Sequence, residues 1–418
     1  MAGRRPRLLL LLPSTTYRAT GFVEAAVKLG VELTVASERT GVLAEREPAN
    51  LLELDFSDPP AAVRRAVAFA SDHPVAAVFG VDDDTAVVAA AIAGALGLSH
   101  APQSALEAAR DKHRQRVLLH AGGVPVPDFA VHSLDDDPHA VARLVPYPCV
   151  LKPLALSASR GVMRADSPGE FVTAHARLAK ILASLDGADT SQGGRYLVEA
   201  FVPGPECAIE GLMVNGRLHV LALFDKPDPL DGPFFEETIY VTPSRHPSGA
   251  QRELTECAEA AARTIGVTRG PVHVELRHNA RGPWLIELAG RPIGGRCGAV
   301  LRFGSDGRTS LEELLLGHAL GLVPPVPGRE PLAAGVSMIP IPRAGILSSV
   351  LGLDEARAVE HVTDIVVTAV PGRRLVPLPE GSQYLGFVFA RASSPDRVEA
   401  ALRTANAVLE VAIEPEER

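Results

Sequence analysis

Short apolar runs alternate with longer amphipathic segments over the first hundred residues of the chain. Apolar runs of about 4 to 8 residues are typical of buried strands, and the longer segments have helical spacing. The predicted strands are 7–12, 32–36 and 75–79, and the predicted helices are 20–29, 60–70 and 85–96. Strands separated by helices predict a parallel sheet with right-handed crossovers, which binds ligands at the carboxyl ends of its strands.

Three consecutive aspartates, Asp82, Asp83 and Asp84, stand just before the helix predicted at 85–96. Acidic side chains accept hydrogen bonds from the free N–H groups of a helix N-terminus and interact favourably with its dipole. We therefore interpret the three aspartates as capping residues, with metal ligation as the alternative.

The pattern becomes mixed beyond residue 105, where strands and helices no longer alternate regularly. Helix 105–121 ends at Gly122, and strand 149–152 leads into a loop of small residues, 153–161. The further predicted strands are 196–202, 207–214, 217–224, 271–277 and 283–289, the helices are 168–185, 248–265 and 310–320, and a loop is predicted at 187–194. The chain therefore combines an α/β part with an α+β part.

A proline-rich stretch, 323–331, contains four prolines in nine residues and predicts a linker. Strands are predicted after it near 333–341, 365–369 and 384–390, and helices near 353–358 and 395–408. We predict three domains, 1–105, 106–322 and 323–418, with a small subdomain at about 125–200 inside the second.

Composition and charge exclude several classes of protein. With 46% hydrophobic and 22% charged residues, the chain is folded rather than disordered. Its net charge of −9 provides no general attraction for nucleic acid or anionic lipid, so small molecules are the expected partners. The four cysteines, Cys149, Cys207, Cys257 and Cys297, lack metal-ligand spacing and are expected to be free thiols in a reducing cytoplasm.

The N-terminus has arginines followed by a run of leucines, as an export signal does. The leucine run, 8–12, stops at Pro13, whereas an export signal needs an apolar core of roughly 7 to 15 residues. No segment approaches the roughly 20 apolar residues of a membrane-spanning helix. A buried first strand and a cytoplasmic protein without a membrane anchor are therefore predicted.

Two glutamates on a predicted hairpin are the first candidate site. Side chains alternate along a strand, so His273, Glu275 and Arg277 share one face. Pairing about a turn near Arg281 sets Glu275 opposite Glu287. Carboxylates in this position repel each other unless a cation lies between them, and oxygen ligands suit Mg²⁺. The alternative is two exposed glutamates on a solvated strand.

Arginine and lysine side chains near this hairpin predict phosphate binding. The loop that follows it, 290–296, contains Arg291 and Arg296 among glycines, and arginine presents a planar fork to phosphate oxygens. The apolar strand 149–152 delivers Lys152 into the small-residue loop, whose backbone N–H groups can cover a phosphate. The chain contains neither the GxxxxGK[ST] phosphate loop nor the GxGxxG dinucleotide motif.

A third candidate site lies on the predicted hairpin around residue 203. Adenine needs an acceptor for its amine, which Glu199 and the backbone near Val202 can supply. Ribose hydroxyls are bound by carboxylates, which Glu206 can supply. Taken alone, this is equally a hairpin with two polar positions.

These pieces in this order resemble the ATP-grasp superfamily. They are Asp111-Lys112 at a helix start, Lys152 with its loop, Glu199 with Glu206, Glu275 with Glu287, and the Arg291 loop. The resemblance covers roughly residues 7–320. Within the superfamily the chain is most similar to the L-amino-acid ligases and related carboxylate–amine ligases. Segments 224–227 and 235–244 are similar to a strand and a substrate loop of that group, and the unit after Pro331 is similar to its additional C-terminal domain.

The resemblance implies a fold, cofactors and residue roles. The first domain would be the pre-ATP-grasp domain, and the small subdomain at 125–200 would be the lid. The cofactors would be ATP and Mg²⁺, with Mn²⁺ as an alternative metal, and a homodimer is the implied assembly. The implied nucleotide-binding residues are Lys112, Lys152, Ser157, Ser159, Arg160, Gly161, Glu199, Ala200, Val202 and Glu206. Glu275 and Glu287 would be the metal ligands, Lys152 and Arg291 the catalytic residues, and Glu237, Tyr240, His273, Arg291, Gly294 and Gly295 the substrate contacts.

Two positions depart from the family pattern. Ala289 stands where the metal motif normally has an asparagine, so one metal ligand is absent. Gly294 and Gly295 stand where some dipeptide ligases carry a bulky aromatic side chain, which predicts a larger pocket.

The implied reaction joins a carboxylate to an amine through an acyl phosphate, with release of ADP and phosphate. The resemblance implies amino-acid substrates. One alternative is a carboxylase-like or purine-pathway ATP-grasp enzyme that uses bicarbonate. An alternative of another class is a nucleotide-binding partner protein without catalysis, suggested by Ala289. ADP release with paired carboxylates and amines distinguishes the three.

Overall fold

The N-terminal part of the computed structural model is a parallel sheet, as predicted. The structure describes residues 5–14, 16, 18–39, 49–185, 194–322 and 327–416. The strands are β1 (Arg7–Leu11), β2 (Glu32–Ser37), β3 (Leu51–Glu53) and β4 (Ala77–Gly80), in the order β3-β2-β1-β4, and the helices are α1 (Ala19–Leu29), α2 (Pro59–Asp72) and α3 (Asp83–Ala95). Both faces of β1 are buried, which explains its uninterrupted run of leucines.

The predicted helix 105–121 is two helices. They are α4 (Gln103–Arg110) and α5 (Lys112–Ala121), separated by Asp111. Asp111 has extended dihedral angles, and its carboxylate accepts a hydrogen bond from the N–H group of Arg114. An aspartate that caps a new helix ends the preceding one, and here it places Lys112 at the first position of α5.

A small antiparallel sheet, which we call the lid sheet, follows. Its strands are β5 (Phe129–Ser133), β6 (Cys149–Pro153), β7 (Met163–Ala165) and β8 (Arg195–Ala200), in the order β5-β8-β6-β7, and its helices are α6 (Pro138–Ala142) and α7 (Pro168–Ala183). Phe171 and Leu178 of α7 pack on Tyr196 and Val198 of β8. The loop predicted at 187–194 lies outside the described residues, apart from Gly194.

The largest sheet has eight antiparallel strands. They are β9 (Glu206–Val214), β10 (Arg217–Lys226), β11 (Ile239–Thr242), β12 (Gly270–Asn279), β13 (Gly282–Ala289), β16 (Ala333–Ile339), β18 (Val362–Val367) and β20 (Gly386–Ala392), in the order β13-β12-β9-β10-β11-β16-β20-β18. The last three follow the predicted linker, of which residues 323–326 lie outside the described residues. Hydrogen bonds between β11 and β16 thus join the two sides of the predicted domain boundary at 322 and 323. The boundary itself stays a prediction.

The remaining elements cover this sheet or extend from it. They are α8 (Ser248–Ile265), β14 (Arg302–Phe303), β15 (Thr309–Ser310), α9 (Leu311–Ala319), β17 (Gly345–Leu351), α10 (Leu353–Arg357), β19 (Arg374–Leu375), α11 (Pro395–Val408) and β21 (Glu410–Glu414). Helix α11 has the predicted bounds. All four cysteines are buried free thiols, as predicted. None of the described helices is long and apolar enough to cross a membrane.

Candidate active site

A cavity of about 700 Å³ lies where the N-terminal sheet, the lid sheet and the large sheet meet. The large sheet contributes residues of β9, β11, β12, β13, β16 and β20. Most of the predicted site residues line the cavity, although they come from all parts of the chain. They are Lys112, Lys152, Ser157, Ser159, Glu199, Ala200, Val202, Glu206, Glu237, Tyr240, His273, Glu275, Glu287, Arg291, Gly294 and Gly295. Convergence of separate sequence segments on one polar cavity is the usual arrangement of an active site.

Arg160 and Gly161 are placed differently from the other predicted nucleotide-binding residues. They are not among the residues that line the cavity. The Arg160 Nε–H donates to the carbonyl of Glu380, and the Gly161 N–H donates to the carbonyl of Pro379, both at 2.9 Å. Their hydrogen bonds thus connect the small-residue loop to a distant part of the chain instead of the cavity.

The hairpin of β12 and β13 has the predicted register, and Glu275 pairs with Glu287. A β-bulge follows this pair, because Leu276 is opposite Leu285 and Ile286 is the additional residue. Simple alternation predicts Leu285 on the same face as Glu287, and this is wrong. Leu285 is buried in the core behind the sheet, whereas Ile286, Glu287 and Ala289 line the cavity. A bulge changes which side chains share a face.

A buried lysine, Lys226, lies among three of the predicted acidic residues. Its Nζ donates to Glu206 and Glu275 at 2.7 Å and to Glu237 at 3.0 Å, and the side chain is 3% exposed. Burial opposes ionisation of Glu275, but Lys226 and His273 hold its pKa well below the usual range. Burial raises the pKa of Glu237 to about 7, against the opposing effect of Lys226.

Sequence reasoning missed Lys226 because a lysine at the end of an apolar strand is usually exposed. The signal was the apolar run of β10 that ends in Asp225-Lys226. A buried ammonium needs acidic partners, and the acidic residues nearby in space are distant in sequence. Only the packing of β9, β10 and β12 brings Lys226 to these carboxylates.

The Glu275 and Glu287 pair fits a magnesium site that is completed by phosphate. Glu287 Oε1 lies 3.2 Å from Lys112 Nζ, which also donates to the Leu156 carbonyl at 2.7 Å. Mg²⁺ is commonly held by one or two carboxylates together with phosphate oxygens and water. Ala289 supplies no third ligand, and the described residues contain no group of three metal-ligating side chains. The chemistry of the two glutamates is thus compatible with one such ion, and their role as its ligands stays a prediction.

Lys152 lies beside a buried carboxylate. Its Nζ is 2.6 Å from Glu199 Oε2, and the Arg116 Nε is 2.5 Å from Glu199 Oε1. Burial alone would raise the pKa of Glu199, but Arg116 and Lys152 lower it to about 2. Arg116 also donates to the Ile286 carbonyl. Sequence reasoning missed Arg116, since an arginine inside a helix is normally on its exposed face.

The predicted ribose carboxylate, Glu206, has both oxygens hydrogen-bonded. Lys226 binds Oε1, and the Arg277 Nε–H donates to Oε2 at 2.9 Å. Arg277 also donates from Nη1 to the Val202 carbonyl at 2.8 Å. Arg277 therefore joins the strand that carries Glu275 to the connector that is predicted to bind adenine.

Arg291 is oriented by the N-terminal part of the chain. Its Nε–H donates to Asp83 Oδ2 at 3.0 Å. Burial opposes ionisation of Asp83, and Arg291 nevertheless lowers its pKa. Asp82 caps α3, as predicted, by accepting from the Thr85 N–H at 2.9 Å. The capping interpretation does not extend to Asp83, whose carboxylate binds Arg291, or to Asp84, which pairs with Arg110 at 2.5 Å.

Gly295 does not enlarge the cavity. It has φ +56°, and a Cβ atom placed on it would lie 2.2 Å from the Met338 Cε. Met338 belongs to β16, and its N–H donates to the Thr238 carbonyl at 2.7 Å. Met338 therefore fills the space that the missing side chain at Gly295 would leave, whereas the prediction of a larger pocket at Gly294 stays a prediction.

Glu210 lies behind the cavity and makes folding pH-dependent. It is fully buried, Oε2 accepts from the Ile293 N–H at 3.0 Å, and Oε1 has no hydrogen-bond partner among the described residues. Burial raises its pKa from 4.5 to about 8. Between these values the folded protein keeps a proton that the unfolded chain releases, so the free energy of unfolding decreases as pH rises.

We therefore expect Glu210→Gln to remove this decrease. The variant should gain at least about 1 kcal/mol of stability relative to the natural chain between about pH 5 and pH 8.5, the equivalent of one pKa unit. Urea unfolding at the two pH values measures the change. A difference between the two proteins that is independent of pH would contradict the prediction.

The lid sheet above an antiparallel sheet, with lysines, paired glutamates and an arginine between them, is the arrangement expected of an ATP-grasp fold. Family models match three parts of the chain: the ATP-grasp N-terminal domain at 23–100, the ATP-grasp domain at 145–300 and the L-amino acid ligase C-terminal domain 2 at 337–414. The chain therefore carries the domains of the ATP-grasp superfamily together with the C-terminal domain of the L-amino acid ligases.

Individual relatives agree with this assignment. An uncharacterized protein, y4rH, of Sinorhizobium fredii is 23% identical over 99% of this chain and 84% of its own length. Alanine–anticapsin ligase of Bacillus subtilis is 29% identical, over 48% of this chain and 44% of its own length, so the match spans less than half of that enzyme. The crystal structure of an L-amino acid ligase from Bacillus licheniformis has a TM-score of 0.79 at 24% identity and covers 99% of this chain and 100% of its own, which shows the shared fold.

Proposed function

We propose that this protein is an ATP- and Mg²⁺-dependent ligase that joins the carboxylate of one amino acid to the amine of a second substrate. The single observation that carries the proposal is the convergence of Lys152, Arg291 and the Glu275–Glu287 pair on one cavity. The C-terminal family match at 337–414 supports amino-acid substrates over other carboxylates.

The first step transfers the γ-phosphate of ATP to the substrate carboxylate. Lys152 and Arg291 neutralise negative charge that the transferring group carries, and their own positions are held by Glu199 and Asp83. Glu275 and Glu287 would hold Mg²⁺, which would supply further neutralisation of phosphate charge. Because Lys112 touches both Glu287 and the small-residue loop, it aligns the nucleotide with the metal ligands.

The second step forms the amide. The amine attacks the carbonyl carbon of the acyl phosphate, the bond to phosphate breaks, and ADP and phosphate leave. Water would hydrolyse this intermediate, so the cavity must be closed during the reaction. Residues 153–161 are placed to close it, because Ser157 and Ser159 line the cavity.

Nucleotide and substrate binding follow from the same cavity. Glu199 and the backbone at Ala200 and Val202 are proposed to bind adenine, and Glu206 to bind ribose. Each carboxylate would then accept hydrogen bonds both from the nucleotide and from its present partner, Arg116 for Glu199 and Lys226 for Glu206. Glu237 and Tyr240 are proposed to bind the amino group of the first substrate, and Glu237 shares the Lys226 ammonium with Glu206. We also propose that the protein works in a reducing cytoplasm, which its four buried free thiols support. A homodimer is the proposed assembly.

Release of ADP and phosphate in the presence of paired carboxylates and amines tests the proposal, with mass spectrometry of the products. Amide formation that depends on both substrates is expected. ADP formation with bicarbonate alone would favour the carboxylase-like alternative. Tight ATP binding without turnover across an amino-acid panel would favour the partner protein without catalysis.

Met338 provides a test of substrate selection. Met338→Ala shortens the side chain that fills the space beside Gly295, and we expect the ratio of kcat/KM for a bulky amine to that for a small amine to rise on the order of tenfold. Met338→Leu is the control of similar volume. We place the amine substrate beside Gly294 and Gly295, as the family resemblance implies, and an unchanged preference in the alanine variant would contradict this position.

A further inference from the structure

The loop between β19 and β20, residues 376–385, contacts the lid sheet. The Pro379 carbonyl accepts from the Gly161 N–H, and the Glu380 carbonyl accepts from the Arg160 Nε–H, both at 2.9 Å. Both donors follow the serines that line the cavity, so the contact lies at the end of the small-residue loop. We call residues 376–385 the C-terminal loop.

The Glu380 side chain makes a second, independent contact with the lid sheet. Arg177, on α7, donates from Nη2 to Oε2 at 2.8 Å and from Nε to Oε1. The two parallel bonds fix the orientation of both groups. Arg177 also lies over the ring of Phe234, 4.7 Å from its centroid, which restricts the guanidinium further.

The C-terminal loop also reaches the cavity itself. Ser382, Gln383 and Tyr384 line the cavity, only a few residues beyond Glu380. The C-terminal loop therefore makes three contacts. Two of its backbone carbonyls bind the small-residue loop, the Glu380 side chain binds α7, and residues 382–384 line the cavity. Movement of the lid sheet away from the cavity breaks the Arg177–Glu380 pair.

We propose that Glu380 is a positioning residue that holds the loop 157–161 closed over the nucleotide. The effect of this role on catalysis rests on the proposed function, because it requires an acyl-phosphate intermediate. When the loop opens, a water oxygen attacks the carbonyl carbon of the acyl phosphate and the carbon–oxygen bond to phosphate breaks. Carboxylate and phosphate then leave, and ATP is consumed without an amide.

Hydrogen exchange tests the contact without any need for activity. Glu380→Arg places a cation beside Arg177 and Arg160, and exchange of the amides in 153–165 should become roughly fivefold faster, the upper range for a partly exposed ion pair. Glu416→Arg is the matched control, since Glu416 pairs with Arg374 in the same part of the chain, away from the lid sheet. The double change Glu380→Arg with Arg177→Glu should restore slow exchange.

Kinetics test the consequence. Glu380→Arg should raise the KM for ATP roughly two- to fivefold and lower the ratio of amide to ADP, while Glu380→Gln, which keeps one acceptor, should lie between. Exchange and product ratio that equal those of the Glu416→Arg control would overturn the proposal. If the natural chain forms no ADP with any substrate pair, the proposed function fails, whereas the exchange result still decides whether Glu380 holds the loop.

Discussion

Replacement of Lys152 by alanine should lower turnover on the order of 10² or more, the scale for loss of one preorganised charge. The Lys152 ammonium is buried against Glu199 and lines the cavity, and water that enters the space left by alanine cannot supply its positive charge. The measurement is kcat for ADP release at saturating ATP and substrates. Lys180→Ala, on the exposed side of α7, is the matched control and should retain activity.

Folding should survive the loss of Lys152. Glu199, which is 2% exposed, keeps Arg116 as a partner, and a buried carboxylate with one cation remains ionised. Thermal unfolding of the variant checks this point. ADP release near the level of the natural chain, from a variant that is folded, would remove Lys152 from the proposed mechanism.

Glu287→Ala is the second change with a large expected effect. It removes one of the two carboxylates that remain for Mg²⁺ in the absence of a ligand at 289, so turnover should again fall on the order of 10² or more. The concentration of Mg²⁺ needed for half-maximal activity should rise as well. Its measurement separates loss of metal binding from loss of nucleotide binding.

The control for Glu287 lies near the same hairpin. Glu253 pairs with His278 at 2.9 Å and is not among the residues that line the cavity, so Glu253→Ala should leave the Mg²⁺ requirement unchanged. Glu287 is one third exposed, and its removal should not unfold the protein. An unaltered Mg²⁺ requirement in Glu287→Ala would contradict its proposed role as a metal ligand.

Local pattern was sufficient for most of the longer elements and for one pairing. The alternation in 272–277 and 284–289, together with the turn between them, predicts the register of Glu275 and Glu287, because pairing in a tight hairpin is determined by residues close in sequence. The parallel N-terminal sheet followed from the strand and helix alternation for the same reason. The bulge at Ile286 was not predictable, since its effect depends on packing in the core behind the sheet.

Ion pairs between distant segments were not predictable from local pattern. Lys226 meets carboxylates of β9 and β12, Arg116 meets Glu199, and Asp83 meets Arg291 across more than 200 residues of chain. A charged side chain looks the same in sequence whether it is solvated or buried with a partner. Met338 of β16 likewise fills the place beside Gly295, which belongs to the loop after β13, and composition carries no information on this contact.

By itself, the sequence determined the order of strands and helices and the types of side chain available for chemistry, because helix and strand periodicity and capping act over a few residues. Tertiary structure alone decided which charges are paired, which space is filled and how the loop after Lys152 is held, because these depend on contacts between segments far apart in the chain. Burial of those contacts shifts the pKa values of the paired groups and restricts their orientations.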